Sequence, residues 1–173
     1  LSVGSDGSFT YEPDASFQTL GAGETQTETF TYTIEDTMGV VSEATATITV
    51  VGANDDPVPE SDSITTDEDT PVVTGNVLEN DQDVDVHDTL TVVGIDLTGT
   101  AGTATVIEGG ILRYDPNGAF DFLGDGESEN DVFNYVLSDG STTINVPVTV
   151  TVTGVNDPAM AVDDSGQGFT VSE

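Results

Sequence analysis

The chain of 173 residues has no cysteine and no tryptophan, one histidine, and a single basic residue, Arg113. Without cysteine there are no disulfides and no thiolate metal sites, which suits either the cytosol or a secreted bacterial protein stapled by ions. One basic residue against 33 acidic ones leaves a formal charge of −32. Such a chain has no means of neutralising phosphates, so nucleic-acid binding has no electrostatic footing, and anionic membrane surfaces repel it. No apolar run approaches the roughly 18–20 residues of a membrane-spanning helix, so no membrane insertion is expected. No basic segment followed by an apolar stretch marks a signal peptide; an export address would lie elsewhere in a longer chain or follow a non-cleaved route. With one histidine and one arginine, nucleophile–base triads and phosphate clamps lack their parts. The plentiful carboxylates cluster in turns rather than in a cleft, unlike a glycosidase pair, and the chain is not expected to be an enzyme.

What is present is material for a sheet. Hydrophobic residues make up 35% and charged ones only 20%, with seven phenylalanines and four tyrosines, whereas a disordered acidic tail would lack β-branched and aromatic residues. In Thr27–Ile34 the residues Phe30, Tyr32 and Ile34 alternate with threonines, a period of two that places the large side chains on one face. Stretches 44–50, 90–95 and 144–152 alternate in the same way. Asp6-Gly7, Asn117-Gly118 and Asp139-Gly140 supply turn residues between the runs. This spacing predicts an all-β fold, a β-sandwich, and Pro147 predicts an edge strand or a bulge at its position. Phe30, Tyr32, Phe133 and Tyr135 are expected in the core.

An internal repeat organises these strands. Tyr11-Glu-Pro13, Phe17, Leu20-Gly21, Gly23-Glu24 and Phe30-Thr-Tyr32 recur 103 positions later as Tyr114-Asp-Pro116, Phe120, Leu123-Gly124, Gly126-Glu127 and Phe133-Asn-Tyr135. Asn54-Asp55 recurs as Asn156-Asp157, and Asp62-Ser63 as Asp164-Ser165, both 102 positions on. The predicted organisation is the back part of one unit (1–56), a complete unit (57–157) and the start of a third (158–173), the partial units being completed by more of the same chain or by neighbouring copies.

The densest acidic run is Asn80-Asp81-Gln-Asp83-Val-Asp85-Val-His87-Asp88. Carboxylates at every second position converge if the loop curls, and oxygen donors at that density suit Ca²⁺. Left bare, two unit charges about 5 Å apart repel by roughly 3 kcal/mol at an effective dielectric of 20. The alternative is a solvated acidic loop with weak cation affinity, in which His87 is an exposed loop residue. Asn54-Asp55-Asp56-Pro57 and Asn156-Asp157-Pro158 follow strands and stop before a proline, as linkers do. Their carboxylates are also placed to bind ions shared between consecutive units, with Glu68 and the hairpin residue Asp139 adding oxygens.

Taken together, Asp67-Glu68-Asp69-Thr70-Pro71, Gly75–Asp85, Phe133-Asn-Tyr135 and Asp139-Gly140 through Asn156-Asp157-Pro158 resemble the tandem cadherin-like repeats of large bacterial surface proteins. The VCBS type is similar through its Phe…Leu-x-x-Gly…Phe-x-Tyr pattern. The resemblance implies a Greek-key sandwich in tandem, type I secretion, an extracellular location at the cell surface or in a secreted matrix, and a role in adhesion or biofilm. It also implies a division of ligands. Asn54 and Asp55 resemble the linker of a cadherin joint, Asp83 and Asp85 its Asp-x-Asp pair, and Asp139 the aspartate of its last hairpin, all at one junction. Glu68 resembles the glutamate that meets Asn156 and Asp157 at the next. Two features depart from the pattern: the Leu-Asp-Arg-Glu motif is missing, and Val86-His87 stands where the bacterial loop has one glycine.

The expected metal ligands are therefore Asn54, Asp55, Asp56, Glu68, Asp81, Asp83, Asp85, Asp88, Asp139, Asn156 and Asp157, and the expected ion is Ca²⁺. The expected partners are neighbouring repeats of the chain or other copies in a fibre, and beyond them cell-surface or matrix components. The reading is a calcium-stiffened structural module of an adhesin or matrix fibre. The alternative is a glycan- or protein-binding adhesin module, for which the lack of tryptophan removes the best sugar-stacking platform.

Overall fold

A computed structural model describes residues 1–4 and 6–158, and nearly all of the expected third unit lies outside the described residues. Eleven strands follow in order: β1 (Ser2–Val3), β2 (Phe9–Thr10), β3 (Thr25–Glu35), β4 (Val41–Val51), β5 (Asp62–Asp67), β6 (Val72–Asn76), β7 (Thr91–Asp96), β8 (Thr103–Glu108), β9 (Ile111–Asp115), β10 (Ser128–Ser138) and β11 (Thr143–Thr153), with one 3₁₀ turn at Ala15–Thr19.

Strands β5 to β11 make a β-sandwich. One sheet runs β5-β11-β10-β7 and the other β6-β9-β8. All pairs are antiparallel except β5 with β11. The chain changes sheet between β5 and β6, β6 and β7, β7 and β8, and β9 and β10, which gives Greek-key connectivity. The alternation seen in the sequence supplies the core. Phe133, Tyr135 and Leu137 of β10, with Val146, Val148, Val150 and Val152 of β11, face Leu112 and Tyr114 of β9, and all are fully or almost fully buried. Each such side chain contributes roughly 1.5–3 kcal/mol relative to exposure. Tyr114 stacks on Phe133 with centroids 5.9 Å apart.

A buried carboxylate closes one side of this core. Asp131 accepts the Tyr114 hydroxyl at 2.6 Å and the backbone N–H of Gly102 at 2.9 Å and of Ala101 at 3.0 Å. These donors satisfy a charge that burial would otherwise make costly.

Pro147 sits in β11, which is an interior strand and not an edge. The parallel register with β5 begins only at Val148, paired with Asp62. At Pro147 the β5 side is therefore open, and no ladder bond is lost for want of an N–H.

The β3–β4 hairpin repeats β10–β11 in length and register: Thr25 pairs with Val51 as Ser128 pairs with Thr153, each strand 11 residues long. At about 3.3 Å per residue each such strand is roughly 36 Å long. Its aromatic face is less covered. Phe30 and Tyr32 are half-buried and cluster with Phe9, whereas Phe133 and Tyr135 are fully buried.

Candidate metal centre

Where β4 ends, the chain is latched to the turn preceding β3. Gly52 donates its N–H to Glu24 O at 2.8 Å and accepts from Gly23 N at 3.3 Å. The same pair recurs at the end of β11, where Gly154 donates to Glu127 O at 2.9 Å and accepts from Gly126 N at 3.2 Å. A Cβ on Gly52 would run into the carbonyls of Leu20 and Gly21, and one on Gly154 into that of Gly124. Only glycine allows this approach, and the latch brings the Gly-x-Gly-Glu turn beside the linker.

Beyond the latch, Asn54, Asp83, Asp85, Asp88 and Asp139 converge from three segments: the linker, the loop after β6, and the turn after β10. Asn54 donates Nδ2 to Asp139 Oδ2 at 3.0 Å. The Asp55 N–H donates to Asp85 Oδ2 at 2.9 Å, and the Asp85 N–H to Asp83 Oδ1 at 2.9 Å. One oxygen each of Asp83, Asp88 and Asp139 lies within 4.8 Å of the others. Three oxygens here are buried without any hydrogen-bond partner: Asn54 Oδ1, Asp83 Oδ2 and Asp85 Oδ1. Asp85 is 1% exposed, so water does not solvate it.

The electrostatics are those of a site lacking positive charge. Burial opposes the charge of Asp139, but the Thr142 N–H, the Asn54 amide, the Ser141 N–H and the Thr142 hydroxyl outweigh it and hold the carboxyl at about 2. Asp88 is pushed the other way, first by burial and then by the charges of Asp85, Asp83, Asp139 and Glu24. Orphaned oxygens, carboxylates facing one another and an all-oxygen donor set fit a hard cation such as Ca²⁺, which takes about six to eight oxygens. Asn54, Asp83, Asp85, Asp88 and Asp139 are the residues placed to hold it.

Other sequence-predicted residues lie elsewhere. The Asp55 side chain is exposed, its backbone alone reaching the cluster, and Asp56 is exposed. Asp81 turns inward, accepting from Tyr135 OH at 2.7 Å and Glu60 N at 2.9 Å. Glu68 sits at the opposite end of the sandwich, 2% exposed, with Oε1 accepting from Val155 N at 2.8 Å and Oε2 unpartnered. The exposed Asn156 and Asp157 directly follow Val155. Glu24 is a residue that the reading of acidic runs missed. It accepts from Gly21 N at 3.1 Å and pairs with His87 Nδ1 at 3.0 Å, so it bridges the first hairpin to the acidic loop. Its signal was the repeated Gly-x-Gly-Glu turn.

Residues 54–154 match the bacterial cadherin-like domain family. The chain belongs to that family. Residues 1–50, ahead of the cadherin-like domain, match the bacterial Ig domain. No curated protein matches the chain. The strand order β5-β11-β10-β7 over β6-β9-β8 is the sandwich that the cadherin-like resemblance implied. Both families point to a structural or adhesion module of a surface-exposed protein, and neither indicates an enzyme. Among the described residues no helix is long and apolar enough to cross a membrane.

Proposed function

We propose that this chain is a calcium-stiffened structural repeat module of an extracellular bacterial adhesin or biofilm-matrix fibre, built of a partial unit (1–56), a complete one (57–157) and the opening of a third (158–173). The observation that carries the reading is the set of buried, unpartnered oxygens of Asn54, Asp83 and Asp85 at the joint, beside the carboxylates of Asp88 and Asp139. An ion there draws the linker, the acidic loop and the β10 turn onto one centre, and a hinge between consecutive units becomes rigid. Glu68, with its own unpartnered oxygen beside Val155, supplies the first ligand of an equivalent joint at the other end, to which Asn156 and Asp157 add theirs. Repeated along a fibre, such joints convert charge repulsion into extension, with neighbouring repeats as the partners and the host surface or matrix beyond them.

The test is thermal unfolding of the chain in chelator, then in millimolar Ca²⁺ and in equal Mg²⁺, with small-angle scattering alongside. A ligand at 100 times its Kd stabilises the folded state by about 2.7 kcal/mol. For a domain of this size that corresponds to a rise of roughly 10–20 °C. A large calcium-specific rise, with a longer maximum dimension, is the expected result. Equal small shifts with both ions would sink the reading and leave a solvated acidic surface.

A further inference from the structure

We infer that Asp81 is a positioning residue, which locks the acidic loop to the core through Tyr135 and so sets the geometry of the joint; the inference rests on the reading of that joint as a calcium site. Within the run 80–88, Asp81 and Asp85 are the carboxylates most withdrawn from water, at 9% and 1% exposure. Asp85 keeps an oxygen free, whereas both oxygens of Asp81 are taken. Asp81 Oδ2 accepts the hydroxyl of Tyr135 at 2.7 Å, and Oδ1 accepts the N–H of Glu60 at 2.9 Å. Among the described residues no basic side chain pairs with Asp81. The charge is held by one donor of fixed direction on each oxygen, one of them from the buried Tyr135, which anchors the loop to the core.

The neighbours of Asp81 are fastened to the same place. Val58 and Gln82 exchange backbone hydrogen bonds at 2.7 and 3.1 Å, and Asn80 Nδ2 donates to Glu60 O at 3.3 Å. Residues 80–82 are thus stitched to residues 58–60, a few positions beyond Asn54 and Asp55. Asp83 and Asp85 follow immediately on the other side. The third party is Tyr135, fully buried in β10 and four residues before Asp139. All three ligand-bearing segments therefore meet at one clamp before they diverge to the joint. Without the clamp, each would order separately when the ion binds, and that entropy would be charged against affinity.

The experiment compares Tyr135→Phe with the wild-type chain, since this change removes a hydroxyl and keeps the ring in the core. Ca²⁺ binding is measured by calorimetry well below the unfolding temperature, and amide hydrogen exchange is followed residue by residue in chelator. In the variant, exchange at residues 82–88 is expected to speed at least tenfold while the amides of β11 keep their protection, and the calcium Kd is expected to weaken about tenfold. A purely structural hydroxyl would lower the unfolding temperature and leave both readouts unchanged, which would overturn the inference. So would a loss of binding in Asp81→Asn with none in Tyr135→Phe, because Asp81 would then be a ligand. If the wild-type chain binds no calcium yet the loop loosens in the variant, the calcium reading fails and the clamp stands as a device for ordering the loop. Should Tyr135→Phe not fold, Asp81→Asn is followed by exchange in chelator. Loosening at 82–88 supports the clamp, and unchanged protection overturns it.

Discussion

Asn54 donates its amide to Asp139 Oδ2 at 3.0 Å across 85 positions of sequence, which ties the linker between two units to the last hairpin of the second. The contact uses the nitrogen of Asn54 and leaves its Oδ1 buried without a partner. The linker side chain thus bridges within the protein and offers a lone pair to the joint at once.

Removing that amide deletes both roles at once, and two readouts tell them apart. Asn54→Ala should destabilise the chelated protein by about 1 kcal/mol, the worth of one hydrogen bond to a charged group partly offset by water. It should also reduce the calcium-induced rise in unfolding temperature. Thermal melts of variant and wild type, with and without calcium, measure both; an unchanged calcium increment would remove Asn54 from the ligand set.

Asp85→Asn keeps the shape of a buried side chain and deletes its charge. In chelator the variant should be at least as stable as wild type, because a like charge disappears from beside Asp83 and Asp88. In millimolar calcium the order should reverse, with affinity reduced at least tenfold. Titration calorimetry decides between this and a site to which Asp85 contributes nothing.

Two aspartates give the chelated protein opposite responses to acid. Asp62 is raised from 3.8 to about 6, chiefly by burial and then by the Asp81 charge. Folded, it holds its proton more tightly than unfolded, so its contribution is full below about pH 4 and is lost as pH rises through about 6. Asp139 is held at about 2, so its contribution is full above about pH 4 and is lost as pH falls towards 2. Urea unfolding in chelator from pH 3 to 7 should show Asp62→Asn flattening the decline above pH 4, and Asp139→Asn the decline below it.

The latch and the core anchor are predicted to be intolerant. Gly154→Ala pushes a Cβ against the Gly124 carbonyl, and overpacking of this kind costs about 1–3 kcal/mol. Asp131→Ala leaves the Tyr114 hydroxyl and the backbone N–H groups of Ala101, Gly102 and Val132 without their acceptor, for a loss of about 3 kcal/mol or more. Denaturant midpoints of both variants, read in chelator, check the order.

Much of the fold was legible because its signals are local. Alternation in Phe30-Thr-Tyr32 and Phe133-Asn-Tyr135 identifies strand and face from a few neighbouring residues, and the 103-residue recurrence aligns one hairpin on the other. The oxygen-rich linker and loop were also visible as composition. What composition does not carry is direction. In an irregular loop no period says which carboxylate turns inward, and only the packed structure sends Asp81 to Tyr135 while Asp83 and Asp88 face Asp139. Likewise Glu24 joins the joint through the fold of a glycine turn, and Pro147 lies in an interior strand because β5 starts its pairing one residue later. The sequence by itself determined the strands, the repeat and the excess of oxygen donors, since alternation and composition depend on near neighbours and a repeat is a match of residue types along the chain that needs no folding to be seen. Which of those donors meet was decided by the tertiary structure, because Asn54, Asp85 and Asp139 come together only when the sandwich closes.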